Sequence, residues 1–178
     1  MIVLAVAMTC SVDYLTRREP HRRAHIERLL GLRAAGTLVA GGPHPDGRGA
    51  DLYYRVPAPE ALRPLVEEDP YFVAGAWTGY RARAFATFVD PWEAPPVVLD
   101  GSRRAWLVEG PAVDPDLAQL ALVELRGQGR MAFGGLFPDG AAHAAAVAGG
   151  PETAVGWLAA TGSWKAADLT ARPWLYVL

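Results

Sequence analysis

His25 and Asp69 are the residues of this sequence best suited to moving a proton. His25 lies in RRAHIERLLGLRAAG, residues 22–36. Helical residues advance about 100° each, so with His25 set at zero, Leu29 falls at about 40°, Leu32 at about −20°, Ile26 at about 100° and Leu30 at about 140°. His25 therefore stands inside the apolar arc. Arg22, one turn earlier at about 60°, shares it, while Glu27 and Arg28 point away. A histidine and an arginine entering a buried face need polar partners or a wet pocket. One reading is a core histidine satisfied by a backbone carbonyl. The other finds its partner in an acid further along the chain.

That acid is Asp69, in EEDPYF, residues 67–72. Pro70 stops the preceding helix and pushes Asp69 toward an extended backbone. Asp followed by Pro is also an N-cap and first-turn signature for a new short helix. The two roles are compatible, because one carboxylate oxygen can cap while the other meets an imidazole. Such a His–Asp pair is a minimal acid/base unit: the carboxylate fixes the ring tautomer and raises its basicity, and the imidazole moves protons near neutral pH.

The remaining candidates are weaker. Four histidines are present, at 21, 25, 44 and 143. None forms a recognisable ligand spacing with another histidine or with the single cysteine, Cys10, so no metal is assigned and no cofactor is expected. His44, in GGPHPDG, is expected on a loop at a pocket mouth, touching substrate or solvated. The glycines of that phrase fail as a phosphate loop: there is no G-x-G-x-x-G and no Lys-Ser/Thr pair, and they follow a strand without opening a helix. Most aromatics are expected in the core. Tyr71 and Trp77, closest in sequence to Asp69, are the ones that could wall an apolar substrate pocket.

The elements that must position these groups come in two similar sets. GTLVAGGPHPDG (36–47) returns as GRMAFGGLFPDG (129–140), with Gly36/Gly129, Gly41/Gly134, Gly42/Gly135, Pro45/Pro138, Asp46/Asp139 and Gly47/Gly140 identical. Upstream, Leu29 meets Leu122 and Arg33 meets Arg126. Downstream, PEALRPLVEEDPYF (59–72) lies over PETAVGWLAATGSW (151–164). Each set reads strand, helix, strand, strand, helix, strand. In the first, helix one is expected over 21–35 with Gly36 as its stop, then strands TLVAGG and ADLYYRV, a helix APEALRPLVEE with Pro64 in its body, and a last strand RARAFATFV. This is the ferredoxin-like βαββαβ order of an α+β protein. Two such units in tandem are expected to pack sheet to sheet as an α+β barrel within one chain, a pseudo-dimer. The boundaries are a first unit at 1–89, a Pro-rich linker at 90–104 and a second unit at 105–178.

The bulk numbers fit. The chain has 178 residues, 51% hydrophobic and 20% charged, with net charge −2. It can bury a core and shows no basic stripe for nucleic acid. MIVLAVAMTC is short, lacks a basic leader and runs into charged residues, so it reads as a buried strand and not a signal or a membrane span. A lone cysteine fits a reducing, cytoplasmic setting.

In their order and spacing, three pieces resemble the YCII-related family: the R-x-x-H of Arg22 to His25, the G-x-L-x-x-G-G-P of Gly36 to Pro43, and the D-P-[YF] with a following A-G of Asp69 to Gly75. The resemblance covers residues 2–89. It implies a dimeric α+β-barrel fold and a His–Asp dyad at His25 and Asp69, in a cleft between sheet and helices. It further implies cofactor-free chemistry on small molecules, such as dehydrochlorination of hydroxyquinols. Relatives with the barrel include muconolactone-isomerase-like enzymes and cofactor-independent monooxygenases. The second unit departs from the pattern: Ala118 stands for His25, Pro115 for Arg22 and Thr161 for Asp69. The expectation is one dyad per chain, serving a lyase or isomerase/cyclase whose substrate is a small oxygenated ring or polyketide-like compound. Arg22 is expected to hold an anionic oxygen, with His44, Tyr71 and Trp77 near the ligand. A non-catalytic small-molecule-binding protein and a cofactor-independent monooxygenase are the alternatives, and a further homodimer is open.

Overall fold

The computed structural model describes residues 1–89 and 96–177. Its contacts divide into two units, Met1–Ala84 with Val177, and Phe85–Tyr176. In the first unit β1 (Ile2–Cys10) is followed by a short helix α1 (Tyr14–Arg18), a 3-10 turn and helix α2 (Arg22–Ala34). Strands β2 (Leu38–Pro43) and β3 (Gly49–Val56), helices α3 (Leu62–Glu67) and α4 (Pro70–Val73), and the first part of strand β4 (Trp77–Val89), whose residues from Phe85 belong to the second unit, complete it. The strand order is β2-β3-β1-β4. β1 and β3 are antiparallel from Ile2↔Val56 to Thr9↔Gly49. Val177 donates its N–H to Gly41 O at 3.2 Å.

Pairing in this sheet alternates side chains between two faces. On β3, Leu52, Tyr54 and Val56 share the face covered by helices, where the charges of Asp69 and Arg28 act on the Tyr54 phenol. Asp51, Tyr53 and Arg55 share the other face. Both faces are covered along most of β3, so its apolar content is higher than a half-exposed strand needs.

The helix expected over 21–35 is α2. It ends as the sequence demands: Gly36 has φ 72, its N–H meets Arg33 O at 2.9 Å, and Thr37 N–H meets Leu32 O at 2.9 Å. That pair of bonds closes a helix only around a left-handed residue. The second helix differs from expectation. A 3-10 turn at Pro59–Ala61 precedes α3, and Pro64 falls in the first turn of α3 and not in a helix body. There its missing N–H leaves no bond unmade. α1 was not anticipated, since five residues are too few to show a helical period.

The second unit has β5 (Arg104–Pro111), α5 (Pro115–Gly127), β6 (Met131–Leu136), β7 (Ala141–Ala146), α6 (Pro151–Ala159) and β8 (Thr170–Leu175). Its strand order, β6-β7-β5-β8, repeats that of the first, and the end of β4 pairs antiparallel with β6 through Ala86↔Leu136 and Thr87↔Gly135. Its core gathers Leu122, Leu125, Met131, Leu158 and Trp164 over the alanines of β7. Of the segment read as a linker, residues 90–95 lie outside the described residues. Residues 96–103 carry no regular element, and Arg104 opens β5.

The units differ at one connection. β1 reaches α2 through Ser11–His21, which holds α1; β5 reaches α5 through Ala112–Asp114 alone. In this shorter link Asp114 caps α5, accepting from Asp116 N at 3.0 Å and Leu117 N at 3.2 Å. No described helix is long and apolar enough to cross a membrane.

Candidate functional site

α2 presents His25 toward α4, against which it packs. Pro70 opens α4, so Asp69 takes the N-cap with an extended backbone, φ −65 and ψ 135. Its Oδ1 accepts the Tyr71 N–H at 2.9 Å. The same carboxylate meets His25 Nδ1, at 2.8 Å from Oδ1 and 3.0 Å from Oδ2. The side chains are 7% and 0% exposed. One oxygen thus serves both cap and ring, where the sequence suggested one oxygen for each.

Two short contacts to a carboxylate assign the ring proton to Nδ1, which donates to Asp69. In the neutral ring Nε2 then carries the lone pair, and it has no hydrogen-bond partner among the described residues. Tyr71 stacks on the imidazole with centroids 3.7 Å apart and planes 13° off parallel. Trp77 meets the ring edge-on at 5.0 Å. Tyr71 in turn receives Tyr14 edge-on at 5.9 Å. Both Tyr71 and Trp77 are buried, so they clamp the histidine itself. Burial raises the phenol pKa of Tyr14, Tyr54 and Tyr71 alike. These hydroxyls therefore remain protonated at neutral pH.

Arg22 is exposed, contrary to its place on the helical wheel. It is the first residue of α2, and no preceding turn of that helix covers it. Its charge still acts on the Tyr71 phenol. Arg28, read as pointing away, reaches α3 and donates Nη2–H to Pro64 O at 3.0 Å.

His44 does not join the dyad. Its Nε2 lies 2.7 Å from Asp51 Oδ2, with side chains 25% and 5% exposed. Asp51 belongs to the sheet face opposite the helices. The His44 ring lies over Gly49, where a Cβ would sit 2.8 Å from its Nδ1. Asp51 was missed because its strand is otherwise mostly apolar and aromatic. Its signal was the polar position in the ADLYYRV alternation.

Two further residues escaped the sequence reading, Tyr14 and Arg18 on α1. Tyr14 is buried, and the Arg18 guanidinium lies over its ring at 5.0 Å. Tyr14 also borders a cleft of about 590 Å³ lined by residues 10–16 and by Asp46, Gly47 and Arg48. Among the described residues no group of three or more His, Cys, Asp or Glu is placed to hold a metal ion.

In the second unit Ala118 is fully buried at the histidine position. Thr161 keeps half of the aspartate's work: its Oγ1 accepts the Ser163 N–H at 3.2 Å, as Asp69 accepts that of Tyr71. The bond survives there without a carboxylate, although no helix opens at this turn. His143 is buried in an aromatic cluster, 5.4 Å from Phe137 and 6.2 Å from Phe85 between centroids.

Residues 1–86 match the family model of the YCII-related domain. No curated protein matches the chain. Among solved structures, a putative monooxygenase from Lactobacillus acidophilus aligns with TM-score 0.61 and 11% identity, over 99% of this chain and 94% of that one. A heme-binding protein from Thermus thermophilus aligns with TM-score 0.54 and 9% identity, over 98% and 91%. At these identities they share a mixed α+β fold with this chain. The 5-chloro-2-hydroxyhydroquinone dehydrochlorinase from Burkholderia phenoliruptrix, in complex with 2,5-dihydroxybenzoquinone, aligns at 21% identity over 46% of this chain and 91% of that one, with TM-score 0.41.

Proposed function

Residues 1–86 match the family model of the YCII-related domain, and we propose that the chain is a cofactor-free acid/base enzyme. In this reading it is a lyase or isomerase/cyclase acting on a small oxygenated ring or polyketide-like compound. The observation that carries it is the buried His25–Asp69 pair, with Nδ1 held at 2.8 Å and Nε2 unengaged. Nε2 takes a proton from a carbon beside a carbonyl, or from a ring hydroxyl. Asp69 stabilises the imidazolium that forms, and Tyr71 and Trp77 keep the ring from turning. The proton then returns at a second atom, giving isomerisation, or a leaving group departs with the electron pair, giving elimination. The negative charge that develops on oxygen calls for a nearby cation. In this reading Arg22, exposed at the start of α2, supplies that cation.

The repeated strand order supports two ferredoxin-like units fused in tandem within one chain. This pseudo-dimer carries one dyad, its ligand is a small molecule, and its setting is the cytoplasm.

The test is turnover across a panel of hydroxylated cyclic compounds. His25→Ala and Asp69→Asn are expected to lower kcat by about 10²–10⁴. Undiminished turnover in His25→Ala would falsify the acid/base role. Binding without product would assign a non-catalytic carrier instead, and oxygen uptake coupled to turnover a cofactor-independent monooxygenase.

A further inference from the structure

We propose that the outer face of α5 is the surface on which a second copy of this chain docks, α5 against α5, antiparallel about a two-fold axis. The inference goes beyond the acid/base reading and does not depend on it. α5 is apolar on two opposite sides. With Leu120 set at zero, Ala118, Ala121, Leu122 and Leu125 fall between about 100° and 200°, and all four are buried. Leu117, Leu120 and Val123 fall between about −60° and 60°, and they are 56, 68 and 47% exposed. A helix with one core to cover needs one apolar stripe. Single apolar residues scattered over a surface call for no explanation, whereas a contiguous row does.

The row belongs to the second unit and not to the repeat. In the alignment that sets Ala118 over His25, α2 carries Ala24, Glu27 and Leu30 where α5 carries Leu117, Leu120 and Val123. Those three α2 residues are exposed as well, so the position faces solvent in both units. Only in α5 is it occupied throughout by large apolar side chains.

What covers the row follows from its symmetry. An isologous contact needs one patch that complements itself under a two-fold rotation. An axis midway between Leu120 and Val123 sets Leu120 of each copy against Val123 of the other. It also brings Leu117 beside Gly127, where nothing lies within 4 Å of an added Cβ, so an incoming side chain has room. Charge is ordered the same way. Asp114 and Asp116 stand at the start of α5, and Arg126 and Arg130 at its end. Glu124, on the rim of the row, is engaged by Gln128 Nε2 at 3.0 Å. Antiparallel contact lays the acidic start of each helix on the basic end of the other and opposes the two helix dipoles. A parallel contact would set like charges together. One helix face per copy covers less than the roughly 1,600 Å² of a standard interface, so the dimer is of micromolar affinity or weaker.

The experiment is sedimentation equilibrium of the full chain from about 1 μM to about 1 mM, with circular dichroism to check that each variant is folded. Wild type is expected to pass from monomer to dimer as concentration rises. Leu120→Glu is expected to weaken association by roughly tenfold or more, and Leu120→Gln, which adds no charge to the helix, by a smaller factor in the same direction. Val12→Ser, at an exposed apolar residue of the first unit, should change it by less than about twofold. Asp116→Arg and Arg130→Glu should each weaken association by roughly threefold. The double variant should recover it, because exchanging both ends restores the opposition of charge. A chain that stays monomeric throughout overturns the proposal and leaves α5 to a different protein. So does a dimer that both Leu120 variants leave intact, or one that Val12→Ser dissolves. Charge variants whose losses add in the double, instead of cancelling, overturn the antiparallel contact.

Discussion

Asp69 has two dependants, and its substitution separates them. Asp69→Ala removes a helix cap and leaves the buried Nδ1–H of His25 without an acceptor. The expected destabilisation is on the order of 2–4 kcal/mol. Thr161→Ala removes the acceptor of the Ser163 N–H and the donor to Leu158 O, at about 1 kcal/mol each, and chemical denaturation of the two variants measures the two losses. Cys10 gives a second prediction at this scale. Burial pushes its thiol up to about 11 from 9.0, with Arg18 pulling down and Asp46 pushing up. Alkylation proceeds through the thiolate, so at mildly alkaline pH Cys10 should react about a hundredfold more slowly than an ordinary thiol. The rate should climb toward pH 11, as mass spectrometry of iodoacetamide-treated protein would show. The neutral thiol is the form the fold prefers. Its contribution to stability is therefore complete below pH 9 and declines as pH rises through 11. Much of the dyad was legible in the sequence. A histidine inside an apolar arc needs a partner, and an Asp-Pro cap offers one. Tyr14 and Arg18 were not legible, because their roles arise from ring stacking between segments that no local period links.

The elements divide in the same way. α2, the strand ends and the doubled glycine phrase could be read directly, since helix period, a glycine stop and turn residues are local signals. Gly36 shows how local: nothing lies within 4 Å of a Cβ added there, so its left-handed backbone alone requires glycine. Gly36→Ala is expected to cost about 1–2 kcal/mol, measured as a lowered denaturation midpoint. Gly135 is required for a different reason. A Cβ there would run into the backbone carbonyl of Ala86 and the Phe85 ring, across the β4–β6 pairing. Gly135→Ala should therefore cost more than Gly36→Ala, through displaced backbone and not through φ. α1 was invisible by comparison. It is five residues long, it is stabilised by Asp13–Arg17 and by contact with the turn at Gly75, and tertiary contacts of that kind leave no trace in a wheel or an alternation.

At the scale of the whole molecule, two units of the same strand order carry one candidate site. The expected binding stoichiometry is one small molecule per chain, readable in calorimetric titrations. Substitution of Ala118 by Ser or of Thr161 by Ser should leave turnover unchanged. The repeat itself was legible through Gly41/Gly134, Gly42/Gly135 and the Pro-Asp-Gly turns. The loss of the dyad was legible as Ala118 and Thr161. Hidden from the sequence was what Thr161 still does. Its hydroxyl accepts the N–H two residues on, as the Asp69 carboxylate does, so that bond alone does not require a carboxylate. A unit that keeps aspartate here keeps an acceptor for the imidazole of the neighbouring helix, whereas a unit with threonine keeps the turn bond alone.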